Sequence, residues 1–227
     1  MLIGARQGFW NQGGGKPTAK SYVQDGLILQ LDGIENAGYG KHDPKAKSWK
    51  SLTKGNELIF DGNVVVDHNS MRFNEAGEKS VAFGNIAIKG AERTIETVFE
   101  QSLLNGFQWF VSPLNIPTVY NTGGKVAINA PGGFDKYLGV YLSQGSRSDV
   151  VKDGVGWDFF CNGIFNKFVI SNNIHITSYS GEVCIGNNRA KTRGVIGKIH
   201  SVRIYDRALT PEEIASNYAI DKERFGL

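Results

Sequence analysis

Gly197-Lys198-Ile199-His200-Ser201-Val202-Arg203-Ile204-Tyr205, followed by Asp206-Arg207-Ala208-Leu209 and then Thr210-Pro211-Glu212-Glu213-Ile214, sets a strand directly before a helix start. The β-prone run Ile196–Tyr205 predicts the strand. Thr210 is a helix N-cap, Pro211 suits the first helical position, and Glu213 completes a capping box three residues after the threonine. Ile214 and Tyr218 then share one helix face at i and i+4, with Ala215 beside them. The charged stretch Asp221–Arg224 reads as a solvated face or the end of that helix.

Upstream, one theme repeats from Tyr22 onward. Runs of β-prone residues are separated by Gly, Asn, Asp or Pro: Leu27–Leu31, Glu57–Phe60, Ser80–Ile88, Arg93–Glu100, Phe107–Val111, Val126–Asn129 and Tyr137–Leu142. Gly156–Cys161, Ile164–Ile170, Ile174–Tyr179 and Glu182–Ile185 complete the series. Short strands at this spacing, with no helical pattern between them, predict an all-β sandwich or barrel, and parallel crossover sheets are excluded because they would need helices. Asn162-Gly163 supplies the positive-φ pair of a two-residue hairpin turn between two of these runs. Ser112–Lys125 and Ser143–Val155 read as long polar loops.

The 227 residues contain 29 glycines, nearly twice the usual share. No apolar run is long enough to span a bilayer as a helix, and Met1-Leu2-Ile3-Gly4 leads into Arg6 with no apolar leader. The net charge of +3 is too small for a general nucleic-acid binder. Residues 1–21 form a basic, Gly-rich arm ahead of a single domain over 22–227. As a chain end the arm reads as solvated and mobile; Arg6, Phe9, Trp10, Lys16 and Lys20 also fit docking on an acidic partner. Cys161 and Cys184 form no disulfide framework and no zinc spacing; they read as buried free thiols or as one bridge.

The last third resembles a laminin-G-like module of the concanavalin A-like lectin/glucanase superfamily, and the Asp25–Pro44 stretch resembles the type found in gut Bacteroidales and their phages. Phe160-Cys161-Asn162-Gly163, Val183-Cys184-Ile185-Gly186 and the closing strand with its helix carry the resemblance in order. Asp25-Gly26-Leu27-Ile28, Trp49-Lys50-Ser51-Leu52 and Thr94-Ile95-Glu96 match less specifically, and the whole covers roughly residues 22–220. The resemblance implies a jelly-roll sandwich of two antiparallel sheets with one short C-terminal helix. Many relatives carry an acid just before the final Val-Arg, where this chain has His200-Ser201, which weakens any inherited calcium site. Asp61-Gly62-Asn63 with Asp67 remains an unsupported calcium alternative, favoured instead as turn chemistry. No cofactor is expected.

The glucanase branch needs carboxylates sharing a strand face, about 5 Å apart in a retaining enzyme. Here Glu96-Thr97-Val98-Phe99-Glu100 has valine where the middle acid should stand, so the run reads as a strand with a solvated polar face. The four histidines are scattered. Gly13-Gly14-Gly15-Lys16 fails as a phosphate loop, with Trp10 at the first glycine position and Pro17 at the hydroxyl position. The chain is therefore not expected to be an enzyme.

Sugar sites on this fold combine aromatic platforms with polar loop groups. The candidates are Asp32, Asn36, Tyr39, His42 and Trp49 in the first long loop, with Trp109, Tyr120 and Asn121 in the middle of the chain. Singly, the tryptophans read as core. Asp32–Tyr39 is the best segment. A lectin-like fold without an export signal fits a phage particle, whose proteins are made without one. The expectation is a non-catalytic virion protein, a capsid decoration or fibre subunit on the virion surface, anchored by its arm to another virion or surface protein and holding host or mucus glycans. Self-association through edge strands would make it a homo-oligomer; nucleic acid and membrane are not expected partners. A glycoside hydrolase or lyase, a structural spacer, and a bacterial-surface or cytoplasmic location are the alternatives.

Overall fold

A computed structural model describes residues 15–74, 78–89, 93–101, 110–112, 138–145, 155–161, 164–171, 178–192 and 194–226. In chain order its strands are β1 (Leu27–Asp32), β2 (Ser48–Lys50), β3 (Glu57–Asp61), β4 (Val65–Val66), β5 (Met71–Phe73), β6 (Val81–Ile88) and β7 (Arg93–Gln101). They continue with β8 (Val111–Ser112), β9 (Leu138–Gly145), β10 (Val155–Cys161), β11 (Ile164–Ser171), β12 (Tyr179–Ile185) and β13 (Gly197–Tyr205), before helix α1 (Pro211–Phe225).

β13 organises the first sheet. One edge pairs with β7; along the other, Gly197–Ile199 pairs with β5 and Ser201–Tyr205 with β1. The eight-stranded sheet continues from β7 through β9 and β10 to β11, and from β5 to β4. The second sheet has five strands in the order β2-β3-β6-β12-β8. Every described pairing is antiparallel. The expected all-β sandwich of two antiparallel sheets with one C-terminal helix is the observed architecture.

Strand alternation explains the layers. Leu29, Leu31, Ile95, Phe99, Val202 and Ile204 point inward from the first sheet and meet Leu58, Ile86, Ile88, Val183 and Ile185 of the second. Burial of such side chains stabilises by about 1.5–3 kcal/mol each. The opposite face of β1, β13 and β7 turns toward α1. There Tyr205 packs with Leu209 and Ile214, and Tyr218 joins them half-buried. A β-bulge between Ile199 and Ser201 places His200 out of step with β7.

α1 begins as its caps predict. Thr210 accepts from the Glu213 N–H, Glu213 returns a bond to the Thr210 N–H, and Gly226 ends the helix in the left-handed region at φ 72°. Among the described residues no helix is long and apolar enough to cross a membrane.

Several expectations change in detail. The expected loop Ser143–Val155 gives its ends to strands: Ser143 and Gln144 pair with Asp158 and Trp157. β2, β4 and β5 are short strands that the sequence reading misses, and Trp49, expected in the first long loop, stands on β2. Packing reaches back to Ala19, which is fully buried ahead of Tyr22. Val126–Asn129 and the Asn162-Gly163 turn lie outside the described residues, but Cys161 and Ile164 pair on either side of that turn, as a two-residue hairpin requires. Cys184 is a free, buried thiol whose pKa burial pushes up to about 12.

Candidate functional site

The first long loop grows from the end of β1. Asp32 Oδ1 accepts the N–H groups of Ile34 at 2.9 Å and Glu35 at 3.0 Å, turning the chain out of the sheet. Gly33 makes this turn possible against its neighbour, since a Cβ there would lie 2.3 Å from the Asn69 carbonyl oxygen. Asn36 then clamps the loop: its Nδ2 donates to the Asp43 carbonyl at 2.9 Å and its Oδ1 accepts the Asp43 N–H at 2.8 Å. The Asn36 carbonyl also accepts the Lys50 N–H at 3.0 Å. Trp49 seals the loop from below, its indole N–H donating to the Asp32 carbonyl at 3.1 Å.

Three expected ligand residues are therefore brought together as scaffold rather than contact surface. Asp32, Asn36 and Trp49 are fully buried, so none can meet a solvent-borne sugar. Their polar atoms are spent on the turn, the clamp and the indole bond.

Tyr39 and His42 stand on the solvent side of this scaffold. Tyr39 is 38% exposed, its hydroxyl 3.5 Å from Gln30 Oε1, and the Lys20 ammonium lies 4.9 Å from its ring centroid. Partial burial, with Glu35 and Asp32 adding to it, raises the phenol pKa and keeps the hydroxyl protonated. His42 is exposed, with Nδ1 3.2 Å from the Ile34 carbonyl oxygen. Lys16 is exposed on the approach to the domain. Trp109, Tyr120, Asn121, Arg6, Phe9 and Trp10 lie outside the described residues.

Beneath the loop runs a polar layer between β1, β13, β7 and α1. Arg203 Nε donates to Glu96 at 2.6 Å, and its two terminal nitrogens donate to Asp221 at 2.9 and 2.5 Å. Arg224 reaches Asp32 at 2.7 Å and Glu35 at 3.3 Å. Asn217 donates to Glu96 at 3.0 Å and accepts the Val23 N–H at 3.0 Å, while the Tyr22 hydroxyl donates to Asp221 at 2.8 Å. Burial raises the Glu96 carboxyl pKa against the opposing pull of Arg203, and does the same to Asp32 against Arg224.

One expectation is overturned here and another holds in part. Glu96 does not lie on a solvated face, because α1 covers it. Asp221 and Arg224 turn inward rather than to water, forming with Asn217 a stripe at i, i+4 and i+7, while Lys222 and Glu223 are exposed and the helix ends at Phe225 as expected. That spacing was the available signal, together with Arg203 alternating with Val202 and Ile204.

The acids considered for calcium are engaged with cations. Asp61 accepts from Lys191 at 2.7 Å and Arg189 at 2.8 Å, which lowers its pKa, and Asp67 pairs with Arg72 at 2.9 Å. Among the described residues no group of three or more His, Cys, Asp or Glu is placed to hold a metal ion.

The sequence matches no family model and no curated protein. Solved structures are similar in fold. Domain 4 of AbnA, a GH43 extracellular arabinanase from Geobacillus stearothermophilus, in complex with arabinotriose, aligns with TM-score 0.52 at 14% identity, over 85% of this chain and 98% of that one. The botulinum neurotoxin serotype D ligand-binding domain, in complex with N-acetylneuraminic acid, aligns with TM-score 0.53 at 14% identity, over 86% of this chain and 51% of that one. A Trypanosoma rangeli sialidase in complex with sialic acid aligns with TM-score 0.56 at 14% identity, over 92% of this chain and 34% of that one. This chain thus spans about half of the toxin domain and a third of the sialidase. At such identities the likeness establishes the β-sandwich fold alone.

Proposed function

We propose that the chain is a non-catalytic, lectin-like β-sandwich module that holds glycans on the solvent side of its first long loop. The observation that carries this is Tyr39, a partly exposed ring mounted on a loop that buried Asp32, Asn36 and Trp49 make rigid. Preorganised aromatic loops bind sugars at low entropic cost. The fold's likeness to nearly the whole of a domain seen with arabinotriose supports the ligand class.

The non-catalytic part draws support from Glu96, the best candidate acid, whose carboxylate is fully buried and bonded to Arg203 and Asn217. A general acid or nucleophile has to reach substrate. The laminin-G-like type and the place on a virion surface, anchored by the N-terminal arm, are the finer part of this proposal and rest on the sequence resemblance alone.

A glycan array probed with the purified chain and with Tyr39→Ala tests the reading. The wild type binds at least one glycan, and the variant loses about tenfold in affinity, the size of one aromatic contact. Failure to bind any glycan overturns the module, and release of reducing ends from a bound polysaccharide overturns its non-catalytic character. Deletion of residues 1–14, which spares the packed Ala19 and Tyr22, abolishes attachment to particles if the virion placement holds.

A further inference from the structure

We infer that the segment 41–54 is a docking surface for an acidic polysaccharide, a chain bearing carboxylate or sulfate groups; this rests on the glycan-binding reading and names its ligand class. Lys41, Lys45, Lys47, Lys50 and Lys54 fall within these fourteen residues against the single acid Asp43. The rest of the protein carries 20 Lys and Arg against 21 Asp and Glu, three of those cations in the N-terminal arm, so this segment is a local concentration of positive charge. All five lysines are exposed, and among the described residues none is held by a carboxylate.

The lysines are gathered as well as exposed. Buried Asn36 bonds to Asp43 through its side chain and to Lys50 through its carbonyl, so both ends of the lysine run fold around one residue. Pairing of Ser48–Lys50 with Glu57–Ile59 and burial of Trp49 hold the second half of the run flat on the sheet edge. Asp43, the one acid of the run, is turned back on the chain, its carboxylate accepting the Lys45 N–H at 2.8 Å. Tyr39 adjoins the run, and Lys20 above its ring brings a further ammonium to the same place.

The side-chain chemistry selects the partner. Ammonium groups are point charges on flexible stems, suited to single acidic groups spaced along a chain, and this run contains no arginine. Single-stranded nucleic acid also stacks on a succession of aromatic side chains, and here one exposed tyrosine serves.

The test is calorimetric titration of the full chain with polygalacturonate, with neutral arabinan and with single-stranded DNA. The same titrations are run on a Lys41→Glu, Lys45→Glu, Lys47→Glu variant and on its Lys→Gln counterpart, each checked for unchanged thermal unfolding. The wild type binds polygalacturonate about tenfold more tightly than arabinan at low salt, and the advantage disappears at about 0.5 M salt. Charge reversal removes that advantage, neutralisation reduces it, and binding to arabinan is kept in both. Equal affinity for the two polysaccharides, tighter binding of DNA, or indifference to charge reversal overturns this inference and leaves the glycan-binding reading standing. Absence of binding to polygalacturonate overturns this inference, and failure on the whole glycan array as well overturns both.

Discussion

Arg203 and Arg189 are built from the same parts and placed in opposite surroundings. Each guanidinium lies over an aromatic ring, Tyr22 at 4.0 Å and Phe83 at 3.7 Å, and each meets two carboxylates. Arg203 meets Glu96 and Asp221 beneath α1, with its side chain 1% exposed. Arg189 meets Asp61 at 2.8 Å and Glu182 at 3.4 Å beside the second sheet, with its side chain 47% exposed. In water the ions of the second group stay hydrated whether or not they pair, so pairing adds little. Under the helix every charge has left water, and each depends on its partners to be tolerated at all. Similar contacts therefore carry unequal weight, and burial sets the difference.

The comparison is broken most directly at Arg203. Arg203→Met leaves Glu96 and Asp221 buried without their shared cation and costs about 3–5 kcal/mol, read as a fall in the urea midpoint. A loss below about 1 kcal/mol would make the two arginines equivalent and remove the distinction.

A smaller effect sharpens the same contrast through pH. Burial holds the His200 pKa below 6.5, with the charges of Glu100, Lys198 and Asp221 acting on it, and its ring packs 5.5 Å from that of Phe225. Below pH 6.5 the unfolded chain takes up a proton that the folded chain resists, so this group's contribution to stability falls as the pH drops from 6.5 through the folded value. Urea midpoints measured downward from pH 7.5 decline more steeply for the wild type than for His200→Gln. Parallel curves would show that His200 titrates as if solvated.

The smallest effect belongs to the exposed group. Arg189→Ala changes stability by less than about 1 kcal/mol, and salt weakens even that. A loss approaching that of Arg203→Met would mean that the second sheet's outer face is itself covered.

The fold was legible because its signals are local. The capping box at Thr210, the flanking runs of the 162–163 turn and the alternation of Val202 and Ile204 each act within a few residues and agree with the final topology. The candidate site was legible only in part. Asp32 at the end of β1, Asn36 in the loop and Trp49 on β2 gather at one place, as their closeness in sequence implies, yet a loop needs buried polar groups to hold it and exposed ones to bind with, and composition does not separate the two. Tyr39 is set apart from Trp49 by the scaffold beneath it. Glu96 and Asp221 look like surface acids in sequence because their cation arrives from another strand, more than a hundred residues from Glu96.

By itself the sequence determined the class of fold, the place of the helix and the loop that would carry polar chemistry, since alternation, turn residues and caps are decided by nearest neighbours along the chain. The tertiary structure decided which of those polar groups face water. Laying α1 over β1, β13 and β7 converts Glu96, Asp221 and Arg224 from exposed charges into a buried layer, and closing the first loop over Trp49 leaves Tyr39 and the lysines outside. Exposure is a property of what packs on top, and no residue carries that information within its own segment.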